Sequence, residues 1–520
     1  MGKILILFGV FGLIWLNKYY LEMNEALAFG ISVFWVIAWN VIWGRKNRED
    51  SENSENSGKN WDGKKENGKN ENVRCRGKLG KAAWCFLNFL ILLFMFAATM
   101  MDPYWNSSSR RANAIDPDKD GLTILTRKEA MEDLNYAMKY LKKIHPFTCG
   151  GLPEDVKARE EKVREELQQL DEIEAYVLSR KLESIFALLG DGHTYVSESY
   201  KQEHVMKYCN DMAKKGYTCI GINGQRLEDF LKEHSGYISY DLESYGIMHL
   251  KSRISNLEGL QYLEVDLNKP IIYNYMDPES GELFDLTVTK EDFMLKEEYL
   301  EMEEKKAGND TPVVVEDRGF VYYDIYDEES LAVLTLKSCR YNDQYCDTVA
   351  KMFEEVYDKH IQNVAVDLRD NGGGNSTVAD EFIGYLDVDH YRDWKMDIRY
   401  RFFMMTLDAS EQPNKKKGHG FSGNVYVITN VASFSSAMDF AMLIQDNGLG
   451  KVVGEASGNF PAACGDVVNF RLPNSNLLMQ ISRKKWYRVD ESKGDLPILP
   501  DVECSPEKAL DVVKGLCVDK

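Results

Sequence analysis

The chain predicts an α/β fold with a largely parallel sheet, led in by a helical section and by apolar membrane-spanning segments. Three observations carry this. From residue 331 short β-type runs alternate with helical ones, residues 126–189 repeat apolar positions at helical spacing, and three apolar blocks stand before residue 102. Strand–helix alternation implies βαβ units, in which ligand and catalytic groups gather where strands end and helices begin.

The alternating part predicts strands at 332–336, 363–368, 424–429 and 451–453, and helices at 346–360, 378–386 and 435–445. Upstream, Thr126-Arg127-Lys128-Glu129 has capping-box spacing, and Met131, Leu134, Tyr140, Leu141 and Ile144 then fall on one helical face. Periodicity resumes at 159–170 and 172–189, so 122–194 is expected to form a small helical bundle. Residues 195–330 predict a mixed α+β middle section. Its expected strands are 217–222, 261–265 and 286–288, with turns at Asn223-Gly224 and Ser280-Gly281. That section shows no legible chemistry and no peptide-tethering PDZ pattern.

The apolar blocks are 4–16, 26–43 and 82–101, and the last two are long enough to cross a bilayer. The first, behind Lys3, also fits a signal peptide. The 520 residues carry a formal charge of −20, divided unevenly: residues 1–101 hold 13 Lys+Arg against 9 Asp+Glu, and the rest hold 50 against 74. So acidic a bulk excludes nucleic acid as a main partner, since phosphate binding needs a basic face. The loop at 45–81 carries 11 Lys+Arg, which the positive-inside bias places in the cytoplasm. The expected organisation is a membrane anchor at 1–101, touching lipid through two or three spans, and a polar stalk at 102–121. The bundle, the middle section and a core at 331–520 follow, all on the extracytoplasmic side of the cell membrane.

Ten cysteines are present, eight of them after residue 102. An even count in such a compartment permits disulfides, and Cys209/Cys219, Cys339/Cys346 and Cys504/Cys517 are near in sequence; buried thiols are the alternative. No Cys/His cluster has zinc spacing. Asp116 to Gly121 resembles the opening of a calcium loop, but its twelfth position is Arg127 where a bidentate Glu is needed, so it reads as a turn into a helix.

Two strand ends suggest chemistry. VAVDL at 364–368 runs into Arg369-Asp370-Asn371-Gly372-Gly373-Gly374, whose glycines let backbone N–H groups turn toward an oxyanion; the lysine of a phosphate loop is missing. The strand at 424–429 runs into Asn430-Val431-Ala432-Ser433-Phe434-Ser435-Ser436, which places a serine at a helix N-terminus, as nucleophile or as simple cap. A nucleophilic serine needs a base. His193, in Gly190-Asp191-Gly192-His193-Thr194 after an apolar helix, is the candidate among eight histidines.

GDGHT (190–194), VDLRDNGGG (366–374), NVASFSSA (430–437) and VVGEASG (452–458) together resemble the tail-specific protease family of serine peptidases, which includes C-terminal processing peptidases and the tricorn protease core. His145-Pro146, Ile222-Asn223-Gly224 and Leu499-Pro500-Asp501 also fit, so the resemblance covers roughly 125–505. It implies a crotonase-like (ClpP-like) α/β core behind a helical bundle. Ser435 matches the nucleophile, and its spacing to Gly454-Glu455 supports it over Ser433. The backbone N–H groups of Gly373 and Ser436 match the oxyanion donors, with Gly372 or Gly374 as alternative glycines. One departure matters. Processing peptidases place a lysine base in a Gly-Lys pair where this chain has Gly458-Asn459. The tricorn-type branch, with His193 as base and Glu491 orienting it, is what remains; Asp501 or Asp191 could orient the imidazole instead. The resemblance thus implies hydrolysis of a peptide or protein substrate by a Ser-His-Glu type triad, with no metal or organic cofactor. The competing expectation is a catalytically inactive ligand-binding or sensor protein on the same fold; the presence of all three side chains favours the enzyme.

Overall fold

A computed structural model describes residues 115–518 apart from 199, 279 and 308–317, together with Phe86, Phe89, Leu90 and Leu93, which are helical. The chain divides into two units, 1–113 and 114–520. The expected spans, the basic loop and the start of the stalk lie outside the described residues, those four positions excepted. Among the described residues no helix is long and apolar enough to cross a membrane.

The second unit opens with β1 (Ile124–Thr126), α1 (Arg127–Ile144), α2 (Glu154–Gln168), β2 (Glu172–Glu174) and α3 (Ala175–Phe186). The expected capping box is present: Thr126 N–H donates to Glu129 Oε2 at 2.8 Å and Glu129 N–H to Thr126 Oγ1 at 3.4 Å. Asp133, buried on α1, accepts from Asn474 N (2.9 Å) and Ser475 N (2.8 Å), tying the helix to the core.

The middle section holds β3 (Tyr195–Ser197), β4 (His204–Met206), α4 (Cys209–Lys214), β5 (Thr218–Ile222), β6 (Gln225–Arg226), α5 (Leu227–Glu233), α6 (Glu243–Ile254), α7 (Leu257–Tyr262), β7 (Ile271–Met276), β8 (Leu283–Val288), β9 (Phe293–Leu295) and α8 (Lys296–Ala307). Asn223 (φ 53°) and Gly224 (φ 78°) make the expected tight turn between β5 and β6. The strand expected at 261–265 does not form. Asn256 caps α7 by accepting from Gly259 N–H at 2.6 Å, so Gln261 and Tyr262 end a helix and Glu264 (φ 60°) turns the chain.

The core follows as β10 (Val321–Tyr326), β11 (Leu331–Leu336), α9 (Asp343–Asp358), β12 (Asn363–Asp367), α10 (Thr377–Ile383), β13 (His390–Arg392), β14 (Met396–Tyr400), β15 (Phe403–Leu407), β16 (Glu411–Pro413), β17 (Asn424–Thr429), α11 (Ser436–Asp446), β18 (Lys451–Gly454), β19 (Cys464–Arg471), β20 (Leu478–Trp486), β21 (Val502–Glu503) and α12 (Ala509–Val518). Six strands pair in the order β10-β11-β12-β17-β18-β21, parallel throughout except for β10 with β11. Both faces are apolar, as a covered parallel sheet requires. Leu334, Leu336, Val364, Val366, Val425, Val427 and Val452 pack with α9–α11, while Leu331, Val333, Ala365, Tyr426, Ile428 and Val453 pack with Ala509 and Val513 of α12. A second sheet, β15-β14-β20-β19, carries β3 on β20 and so brings the end of the histidine loop to the core.

Cys149, Cys339, Cys346, Cys464 and Cys504 are free thiols, so neither Cys339/Cys346 nor Cys504/Cys517 is bridged. Cys339 is buried, with Sγ 3.6 Å from Asn371 Oδ1. Cys209's side chain lies outside the described residues.

Candidate active site

Ser435 stands at the N-cap of α11, six residues past Thr429, the last residue of β17, with φ 55° and ψ −123°. Positive φ is costly for a residue with a Cβ, by about 1–3 kcal/mol, and persists only where neighbours enforce it. Here they do. Ser435 N–H donates to Asn459 Oδ1 at 2.8 Å, Phe434 N–H to Asn371 O at 2.9 Å, and Asp439 N–H to Ser435 O at 2.9 Å. The flanking serines are braces. Ser433 is fully buried, donates from Oγ to Leu368 O (2.7 Å) and accepts from Asn430 N–H (3.0 Å); Ser436 Oγ donates to Gly374 O (3.0 Å). Ser435, half-buried, is the one of the three whose hydroxyl makes no hydrogen bond to a described residue.

The glycine loop lies directly against this turn. A Cβ on Gly373 (φ 95°) would sit 2.7 Å from both Phe434 O and Ser435 Cβ and 2.9 Å from Ser436 N, so only glycine fits. Buried Asn371 shapes the loop: Nδ2 donates to Leu336 O (2.7 Å) and Oδ1 accepts from Gly373 N–H (2.9 Å). The N–H of Gly373, the expected oxyanion donor, is thus given to Asn371. The N–H of Ser436, first in α11, has no acceptor within the helix.

The histidine loop leaves α3 through a 3-10 turn, Ala187–Leu189, and Gly190 (φ 60°). Asp191 is buried and organises it. Its Oδ1 accepts from His193 N–H (2.9 Å), and its Oδ2 accepts from Thr194 Oγ1 (2.6 Å) and pairs with His145 Nε2 (3.1 Å). Gln480 Nε2 donates to His193 O (2.9 Å) and Ser482 N–H to Thr194 Oγ1 (2.9 Å), fixing the loop on β20. The His193 ring lies on Phe434, the residue before the candidate nucleophile, with centroids 4.4 Å apart, and Phe434 also stacks on Tyr245 at 4.3 Å. His193 Nδ1 is 3.6 Å from Asp191 Oδ1, and neither ring nitrogen has a hydrogen-bond partner.

Charge is concentrated around this imidazole. Burial favours protonation of Asp191, but the His145 and His193 groups bonded to it outweigh that and hold it well below the usual carboxylate range. Burial works against a charged His193, yet Asp191, with help from Asp241 and Asp439, raises its pKa above the ordinary value. Burial pushes Asp439 up to about 7, and burial with the nearby Asp191 charge does the same to Asp241.

Residues 330–504 match the model of peptidase family S41. Solved structures of similar fold include mature CPAF complexed with lactacystin, 12 % identical with a TM-score of 0.51, covering 75 % of this chain and 98 % of that one. Mature CPAF alone gives 12 % and 0.50 over 75 % and 97 %, and a photosystem II D1 C-terminal processing protease gives 13 % and 0.41 over 75 % and 96 %. No curated protein matches the chain. The chain carries a peptidase family S41 domain. It is a serine-type peptidase, and the tail-specific protease resemblance of its motifs stands.

Within the S41 domain the structure separates the expected acids. Glu491 begins an exposed 3-10 turn, Glu491–Lys493, and no ion pair joins it to His193. Asp501 is engaged elsewhere, its Oδ2 accepting from Val452 N–H (2.8 Å) and Gln445 Nε2 (3.0 Å). Asp191 is the carboxylate at the imidazole. Asn459, standing where processing peptidases have lysine, is buried and holds the Ser435 backbone. The middle section, read as chemically silent, contributes Asp241, whose Oδ2 accepts from Gly192 N–H at 3.2 Å, and Tyr245.

Proposed function

We propose that this protein is a membrane-anchored serine peptidase whose catalytic domain lies outside the membrane and hydrolyses peptide bonds with Ser435 and His193. Ser435 Oγ attacks the scissile carbonyl carbon while neutral His193 takes its proton. The Ser436 N–H, with a glycine of 372–374, receives the oxyanion. Collapse expels the amine, protonated by His193, and water then releases the acyl group by the same steps in reverse. Gly373 can serve as donor only by giving up its bond to Asn371, which leaves Gly372 and Gly374 as the less encumbered glycines. Asp191 is the orienting acid in this reading, in place of Glu491: it fixes the His193 backbone and lowers the cost of the imidazolium.

The six-stranded sheet covered by helices on both faces supports a crotonase-like (ClpP-like) core, and α1–α3 support the helical lead-in. The apolar blocks at 26–43 and 82–101 around a basic loop support the anchor and its orientation. The observation that carries the mechanism is Ser435 held at φ 55° against Gly373, with His193 seated on the adjoining Phe434. The test is labelling by a serine-reactive phosphonate, wild type beside Ser435→Ala. Labelling of the wild type alone is expected. Equal labelling, or none in folded wild type, overturns the reading and favours the inactive sensor.

A further inference from the structure

We propose that Asp191, His193 and Asp241 form a divalent-cation site of the Zn2+ class whose occupancy switches the peptidase off. The switching rests on the peptidase reading above; the site itself does not.

One ligand atom from each residue lies within 4.8 Å of the other two. His193 is only 8 % exposed, yet both its ring nitrogens lack a hydrogen-bond partner. Buried polar groups are nearly always paired, so an imidazole left open beside two carboxylates points to a ligand. The carboxylates have room for one. Asp191 offers four lone-pair directions, of which His193 N–H, Thr194 Oγ1 and His145 Nε2 use three. Asp241 uses Oδ2 on Gly192 N–H, and its other oxygen accepts nothing among the described residues. Gly192 permits the approach, since a Cβ there would stand 2.9 Å from Asp241 Oδ2.

One imidazole nitrogen with two carboxylate oxygens is a set that zinc accepts, whereas calcium and magnesium favour all-oxygen shells. A tetrahedral zinc with ligands at about 2.1 Å separates them by about 3.4 Å, so closure needs side-chain shifts of about an ångström. The neighbouring trio His145, Asp191 and Cys464 also lies close together. It is the poorer candidate, because His145 uses Nε2 on Asp191 and Nδ1 on Phe147 N–H. Metal on Nε2 of His193 would occupy its lone pair, and metal on Nδ1 would force the proton onto Nε2. Neither state leaves an acceptor for the Ser435 proton.

The experiment uses the full chain in detergent, stripped of metal and titrated calorimetrically with Zn2+. One Zn2+ per chain is expected in wild type and, unchanged, in Ser435→Ala. Asp241→Asn should bind Zn2+ about tenfold or more weakly than wild type, whatever its own basal turnover. Zn2+ should abolish wild-type turnover, a chelator restore it, and Asp241→Asn resist. Circular dichroism checks each variant, with Asp241→Ser as the alternative if the Asn version fails to fold. Absence of Zn2+ binding in wild type, or equal affinity in folded Asp241→Asn, overturns the site. Zn2+ binding that depends on Asp241 in a chain showing neither phosphonate labelling nor turnover upholds the site and overturns the peptidase reading.

Discussion

The nucleophile turn and the histidine loop meet at Phe434, but they are held in different ways. Around Ser435 the backbone itself is pinned, by Asn459, by Asn371 and by the first turn of α11, and the flanking serines are used up as braces. Around His193 the backbone is pinned just as firmly, through Asp191, Gln480 and the neighbouring Thr194, but the ring rests on aromatic contact and charge with no hydrogen bond. One side is a fixed point and the other is a poised side chain. A base that must take a proton and then return it gains from that freedom, provided a nearby charge keeps its orientation.

The largest loss is expected at the fixed point. Ser435→Ala should lower kcat by about 10^4- to 10^6-fold, with thermal stability near that of wild type. His193→Ala should fall in the same range, because groups that act as a unit are not additive. A His193→Ala enzyme that retained its activity would remove the poised side of the comparison altogether.

Next comes the acid. Asp191→Asn should reduce kcat by about 10^2- to 10^4-fold and cost about 3–5 kcal/mol of stability, since it breaks a buried charged group with three donors. Glu491→Gln, at an exposed turn, should stay within about twofold of wild type in both. A reversed result, with Glu491→Gln crippled and Asp191→Asn active, would show that the loop rearranges to bring Glu491 to the imidazole when substrate binds.

These contrasts mark what the sequence could and could not disclose. The strand, turn and helix at 424–446 were legible because each element and its serine are contiguous, and the expected strand at 424–429 coincides with β17. The same holds for GDGHT, where Gly190 and Asp191 act on their own neighbours. Asp241 and Tyr245 were not legible, because their contacts to Gly192 and Phe434 arise from packing of the middle section on the core. Residues 261–265 suit either state by their apolar content, and the signal that decides for helix is the Asn256 cap upstream. The position of Glu491 in its motif carries no information about burial, and the residue lies on an exposed turn.

A smaller effect lies in the pH profile. Activity needs neutral His193, and Asp191 holds its pKa above the ordinary 6.5. The acid limb of kcat/KM should therefore fall above pH 6.5, with activity lost as pH drops through it. The folded-state value being raised, this group's contribution to stability is present below 6.5 and is lost as pH rises through the folded pKa. In the residual activity of Asp191→Asn the acid limb should move down, a shift that a merely structural role would not produce. An unmoved limb would assign the raised pKa to Asp241 or Asp439.

The smallest expected effect tests what keeps Ser435 strained. Asn459→Ala removes the acceptor of the Ser435 N–H in a position only 1 % exposed, leaving that donor unpaired at a cost of about 1–3 kcal/mol. If Asn459 enforces the positive φ, the hydroxyl loses its fixed direction and kcat should fall about tenfold with KM unchanged, because the loss is confined to the reacting atom. The measurement is the kcat and KM pair beside the thermal midpoint. A variant with lowered stability but intact kcat would mean that the close approach of Gly373, where an added Cβ would lie 2.7 Å from Ser435 Cβ, suffices to hold the turn. The nucleophile would then be fixed from the glycine loop alone, and the residue standing in the lysine position would serve only to fill it.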